Sequence, residues 1–228
     1  MAIQLKFPFW DSLDSVEASS KEEIKRCLLS SLQRIDKFLN FTDDYESPIV
    51  KAFLGVTPYT LCAFHHRKET LRKDIAIHFF INDSKFVSVL NSPYKYIDEL
   101  KNYRWVIAPD FSVQPQMPLE EKRYNIFNIK RITAWWQYNG INVIPNVVWC
   151  SGVDYEYCFD GLPKHSVVAI NSTGVGKDER SKQVWIEGYK KAIEVLLPKL
   201  IIRYGAKQDG EMESISIYFP NDNRRIAA

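Results

Sequence analysis

The sequence predicts an α/β fold with a mostly parallel central sheet and flanking helices, on three observations. Apolar, β-prone runs alternate with helix-period segments between Trp105 and Gly205: WVIAPDFS (105–112), INVIPNVVW (141–149), SVVAINST (166–173) and KLIIRYG (199–205). A strand–helix–strand succession within one sheet implies parallel pairing through crossover helices. Several runs end in small or polar residues, and in open parallel sheets ligands bind at the carboxyl ends of the strands. A Rossmann-like three-layer sandwich is the first arrangement this suggests. A partial or irregular β/α barrel is the second, because polar strand ends in a row also suit a barrel mouth.

Taken in order, residues 1–18 read as irregular. A helix is expected from Ser19 or Ser20, where a hydroxyl can cap free amides and Glu22 and Glu23 favour the positive helix end. Ile24, Cys27, Leu28, Leu32, Ile35 and Leu39 then recur at helical spacing, giving an amphipathic helix over 19–40 docked on its own domain. After a polar loop come YTLCAFHH (59–66) and DIAIHFFI (74–81), read as strands. Short helical pieces follow at 84–91 and 94–102, separated by Pro93. The first long crossover runs from Pro118 to Gly140, with Glu120 and Glu121 in its first turn and Ile126, Ile129, Ile132 and Trp136 on one face. The link from Trp149 to Ser166 has room only for a short helix near 155–159. The next crossover is capped by Asp178, lined by Val184, Gly188, Ala192 and Val195, and ended by Pro198. Gly188 costs a helix about 1 kcal/mol relative to alanine, which points to a close approach there. ESISIYFP (213–220) reads as an edge strand.

Composition sets bounds. At 228 residues the chain suits a single α/β domain over 1–228. Thirty Lys and Arg against 28 Asp and Glu give a net charge of +2, too balanced for a global field that steers the chain onto nucleic acid or membrane. No apolar run approaches the roughly 20 residues of a membrane span. The N-terminus lacks the basic start and apolar stretch of a signal peptide, so a cytoplasmic protein is expected. Cys27, Cys62, Cys150 and Cys158 form no CxxC pair and read as buried thiols rather than metal ligands.

HFFINDSKF (78–86), APDFS (108–112), MPLE (117–120), AWWQYNGINVIPNVVW (134–149), CFDGLPKHSVVAINSTGVG (158–176) and GYKKAIEVLLPKLIIRYG (188–205) together resemble an uncharacterised family. It is a domain of unknown function found in bacteria, bacteriophages and mobile elements. The resemblance covers about residues 75–205. It implies a genomic setting and no mechanism. Relatives often carry an Arg-rich stretch in the first crossover helix, where this chain reads Phe127-Asn128-Ile129-Lys130-Arg131.

The candidate site follows from the strand ends. Asp110, just past a buried strand, could serve as a general base, or hold a ribose hydroxyl or a metal. Alternatively it forms an Asx turn with the amide of Ser112. Ser172, Thr173 and Gly174, with Gly176 and Lys177 beyond, could offer hydroxyls, amides and a charge to a phosphate, although no Walker or G-x-G-x-x-G motif is present. Ser112, Trp149 and Tyr204 complete the candidate rim, Trp149 either stacking on a ligand or packing in the core. Asn146 interrupts an apolar strand and must find a partner. His65 and His66, adjacent in a strand, would point to opposite faces, so no metal site is expected from them. Lys122, Arg123, Lys130 and Arg131 on the first crossover helix form either a nucleic-acid surface or a solvated face. The sequence leaves the identity of any cofactor open. Three functions remain open: a phage or mobile-element type protein binding a host protein or a small nucleotide at the rim, an enzyme acting on a nucleotide or nucleic acid, or a scaffold module.

Overall fold

The computed structural model describes residues 3–5, 16–18, 35–175 and 179–221. A short antiparallel pair opens the chain, β1 (Ile3–Leu5) against β2 (Val16–Ala18). The expectation of irregular structure over 1–18 therefore gives way at those two triplets, IQL and VEA. Their alternation is too short for periodicity to register. Of the expected leading helix only the end falls within the described residues. Ile35 is buried in the core, and Asp36–Phe38 form a 3-10 turn. Leu28 and Leu32 lie outside the described residues.

The remaining strands are β3 (Leu61–Ala63), β4 (Ala76–His78), β5 (Trp105–Ile107), β6 (Val143–Ile144), β7 (Val167–Asn171), β8 (Leu200–Tyr204) and β9 (Ser216–Phe219). They pair in chain order, all parallel, as a four-stranded sheet β3-β4-β5-β6 and a three-stranded sheet β7-β8-β9. A single parallel bridge, Asn146 to Ala169, joins the two. Proline explains the break. Pro145 has no amide to donate, so β6 stops as a regular strand after Ile144 and pairing resumes one residue later. Val147 N–H then donates to Ala169 O at 2.9 Å, and Ala169 N–H donates to Pro145 O at 2.8 Å.

The helices are α1 (Val87–Asn91), α2 (Ile97–Leu100), α3 (Leu119–Tyr138), α4 (Tyr155–Phe159) and α5 (Glu179–Leu196). They cover one face of the strands. Ile77, Val106 and Val143 pack with α1, α2 and α3. Val168, Ile170 and Ile201 pack with α4 and α5. The opposite strand face carries Ala76, Phe80, Trp105, Ile107, Ile144, Val167, Ala169, Ile202 and Tyr204, and these pack on one another together with Phe53. Rings from the two sheets meet across this interior, Tyr204 lying 4.8 Å from His78 and 4.9 Å from Phe80 between centroids. The α/β class with parallel strands and flanking helices stands. Sequential order, helices on one face and a self-packed interior make it a curled open sheet, the partial β/α-barrel arrangement. Among the described residues no ladder joins β9 back to β3.

Local details follow from the sequence. α3 starts directly after Pro118, and Gly140 adopts φ +82° just beyond its end, a conformation glycine takes at no steric cost. The buried face of α5 runs through Trp185, Gly188, Tyr189, Ala192 and Leu196. That is rotated from the expected stripe, because the large rings of Trp185 and Tyr189 claim the interior ahead of Val184 and Val195. Gly188 makes the expected close approach: a Cβ there would lie 2.1 Å from the Trp149 ring. On β8, Arg203 is fully buried and forms a two-pronged ion pair with Glu211 at 2.7 and 2.6 Å. Its guanidinium also donates to the carbonyls of Ile170, Tyr204 and Ala206.

Two substitutions test this packing. Gly188→Ala removes a helix penalty of about 1 kcal/mol but drives a methyl into the Trp149 ring, where overpacking costs about 1–3 kcal/mol, so net destabilisation is expected in urea unfolding. Glu211→Ala leaves a buried guanidinium unpaired and should cost about 3–5 kcal/mol.

Candidate functional site

Because β3 to β9 are parallel, their carboxyl ends lie on one edge, and that edge holds a cleft of about 970 Å³. Its size falls within the range of small-molecule sites. β3 ends in the 3-10 turn Phe64–His66, which brings His65 and His66 to the cleft. β4 brings His78 and Phe80, with Lys85 beyond them. β5 leads to Asp110 and Ser112, β6 to Val147 and Trp149, and β7 to Asn171 and Thr173. Tyr204 closes β8, Phe219 closes β9, and Asn221 follows it.

Asp110 is the chemical centre of this edge. Its Oδ1 accepts a hydrogen bond from Asn146 Nδ2, and its Oδ2 accepts one from Asn171 Nδ2, both at 2.8 Å. The three side chains come from the ends of β5, β6 and β7. Asn171 Oδ1 accepts from the Thr173 amide at 2.8 Å, which fixes its orientation. Asn146 Nδ2 also reaches Pro109 O at 3.2 Å, while its buried Oδ1 accepts no hydrogen bond among the described residues. Burial pushes the Asp110 carboxyl up to about 6; the two amides pull against this and the Asp83 carboxylate adds to it. A carboxyl near 6 can donate or accept a proton close to neutral pH.

The turn role considered for Asp110 belongs to another residue. Ser112 donates both its amide and its hydroxyl to Asp83, each at 3.0 Å. Asp83 lies 29 positions earlier in the chain, beyond the reach of any local turn pattern. His78 is buried, and desolvation with the neighbouring His65 lowers its pKa to about 3. It is therefore a neutral imidazole. Its Nδ1 accepts from the Phe80 amide at 3.2 Å, which leaves the proton on Nε2.

The other rim residues divide. Trp149 touches the cleft but is 9% exposed, packed on α5 against Trp185 and Gly188. Thr173 and Tyr204 line the cleft. Ser172 is buried and donates instead to Ala206 O at 2.6 Å, tying β7 to the turn after β8. Gly174 is exposed at φ +86° and is not among the cleft-lining residues. Lys177 lies outside the described residues. The histidine expectation changes: His65 and His66 sit in a 3-10 turn rather than a strand, so their rings lie side by side with centroids 3.9 Å apart. Among the described residues no group of three His, Cys, Asp or Glu is placed to hold a metal.

The basic face of α3 does not form an open patch. Lys122 is buried and donates to Pro115 O and Ser151 O at 2.9 and 3.0 Å. Lys130 is buried and donates to Tyr157 O at 2.7 Å, and burial lowers its pKa to about 8. Arg131 pairs with Asp36 at 2.8 Å, and Arg123 lies 3.5 Å from Glu120. The nucleic-acid surface expected there lacks two of its four cations. The reason is that α3 is covered on two sides, by the clusters against both sheets. Among the described residues no helix is long and apolar enough to cross a membrane.

The family described as "Domain of unknown function (DUF4417)" matches residues 40–220. The "Gene 1 protein" of Mycobacterium phage L5 is 32% identical over 164 residues, 71% of this chain and 71% of that protein. The "Gene 1 protein" of Mycobacterium phage D29 is 29% identical over 164 residues, 71% of this chain and 60% of that protein. No solved structure matches the chain.

Asp110 has a stability signature. Its folded-state pKa is raised, so the folded state holds this proton more tightly than the unfolded chain. The stabilisation is complete below the ordinary carboxyl pKa and is lost as pH rises through about 6. Asp110→Asn removes that dependence. Unfolding midpoints across pH 4 to 7 should show the variant gaining on the wild type as pH rises, by about 1–2 kcal/mol after allowance for screening of a half-buried group. A constant difference across that window would mean the carboxyl titrates normally.

Proposed function

The chain belongs to the family of the domain of unknown function DUF4417, and on that footing we propose that its rim cleft binds a small planar ligand of nucleoside or nucleotide size. The matched relatives are phage proteins, so the family is phage-associated. One observation carries the reading: a carboxyl held by amides from two neighbouring strand ends opens into a cleft whose walls include the rings of Phe80 and Tyr204. Flat aromatic walls suit a planar ring, and a fixed carboxyl suits its hydrogen-bonding edge. The shape also favours a small ligand over a host protein, since the polar groups converge inside a concavity.

An enzymatic reading is favoured by the Asp110 pKa of about 6. A carboxylate at that value is a competent general base near neutral pH. In this reading the same ligand is a substrate, and Asp110 takes a proton from it or from water. The neutral His78 imidazole, which lines the same cleft, offers an Nε2 donor.

The test is a thermal-shift panel of nucleosides and nucleotides followed by titration calorimetry. A ligand at 100 times its dissociation constant stabilises by about 2.7 kcal/mol, an easily read shift. Asp110→Asn should keep the fold and weaken binding roughly 10- to 100-fold, the usual cost of losing a hydrogen bond to a charged group. A ligand that binds Asp110→Asn as well as wild type would remove Asp110 from the site.

A further inference from the structure

The strand order gives the cleft two chemically different sides. β5, β6 and β7 supply Asp110 and its amides. β3 and β4 supply His65, His66 and Lys85, which line the same cleft. The carboxylates near this second side are already engaged. Glu69 holds His66 Nδ1 at 2.9 Å, and Asp83 spends both oxygens on Ser112. Lys85 forms no ion pair among the described residues, and both His65 and Lys85 are exposed to the opening.

We propose that this β3–β4 side, through His65 and Lys85, receives the phosphoryl group of a nucleotide whose planar part lies toward Asp110. The inference rests on the cleft being a nucleoside-sized site, as proposed above, and adds which end of the ligand is anionic. Three arguments support it. Lys85 is an exposed cation lining a concave cleft that also carries the rings of Phe80 and Tyr204, a setting that focuses its field on an entering anion. Burial first, then the nearby His66 and Lys85, hold the His65 pKa below its ordinary value against the opposing pull of Glu69, and an arriving anion offsets that lowering. Finally, the cleft is large enough to hold a base and a phosphate at once. The arrangement uses no glycine loop. Its cations come from the turn after β3 and the 3-10 turn Asp83–Lys85, both anchored by the strands below them.

The experiment compares the four ribonucleosides with their 5′-monophosphates and diphosphates, by calorimetry on the full chain. In the wild type at least one nucleotide should bind about tenfold or more tightly than its nucleoside. Lys85→Ala and His65→Ala, both at exposed positions, should bring the nucleotide down toward the nucleoside, whose own affinity stays within about twofold. Asp110→Asn should weaken both ligands together. Equal affinity of nucleoside and nucleotide for the wild type, or a nucleotide preference untouched by both variants, overturns the phosphoryl assignment and leaves the cleft reading standing. No binding by any member of the panel overturns both.

Discussion

Among the described residues one backbone bridge joins the two parallel sheets of this protein, and the Asp110 carboxyl spans it. Pro145 interrupts β6, so the ladder that elsewhere joins neighbours continuously is reduced here to Asn146 against Ala169. A seam with so few backbone bonds needs side-chain support. Asp110 provides it, accepting from Asn146 on one flank and Asn171 on the other. The group that opens onto the cleft is therefore also a staple between sheets. Its surroundings then follow from the seam: the clamp draws three strand ends together, and the cleft lies above them.

The buried cations of β8 and α3 are partnered internally, away from the rim. Arg203 is matched by Glu211 and three carbonyls, so its burial fixes the turn after β8 without exposing charge. Lys122 is spent on the loop carbonyls of Pro115 and Ser151, and Lys130 on the Tyr157 carbonyl of α4. The segments that carry the family resemblance sort in the same way. Gln137 of WWQ exchanges two hydrogen bonds with the backbone of Lys51, and Trp136 donates to Pro93 O. Gly161 of FDG sits at φ +74°, where a Cβ would lie 2.6 Å from Pro48 O. These residues hold the fold together. The PDFS segment is different: its aspartate and serine both line the cleft.

Much of the fold was legible in the sequence, because periodicity and punctuation are local. Each parallel strand lies inside an expected run, and the short helix at 155–159, the stop at Gly140 and the close approach at Gly188 follow from residue type alone. What periodicity does not carry is partnership. Asn146 announced a need for a hydrogen bond, but its partner lies 36 positions away, beyond the end of another strand. Asn171 carried no separate signal beside Ser172 and Thr173, although it shares strand parity with Ala169 and so faces the interior. The cations of α3 looked free because helical spacing shows which residues share a face, not what covers it. His65 and His66 looked like strand residues because Leu61–Ala63 is too short a strand for its end to show.

The division of labour between Asp83 and Asp110 explains why Asp110 suits chemistry. A carboxylate that accepts both a backbone amide and a hydroxyl from one loop residue is committed to that loop, and Asp83 is in that position. Asp110 is relieved of the turn. Its donors are neutral side-chain amides, which hold a carboxylate in place without supplying a countercharge. Had an arginine or lysine stood there, the carboxyl would be held low and its protonation fixed. Neutral donors leave burial as the dominant influence, and burial brings the carboxyl close to neutrality. The orphan Oδ1 of Asn146 adds a further freedom. Rotation of that amide by half a turn would present an acceptor to a protonated Asp110, so the clamp can serve either charge state. A group positioned rigidly by neutral partners, yet free in its charge, is one whose proton an arriving ligand can decide.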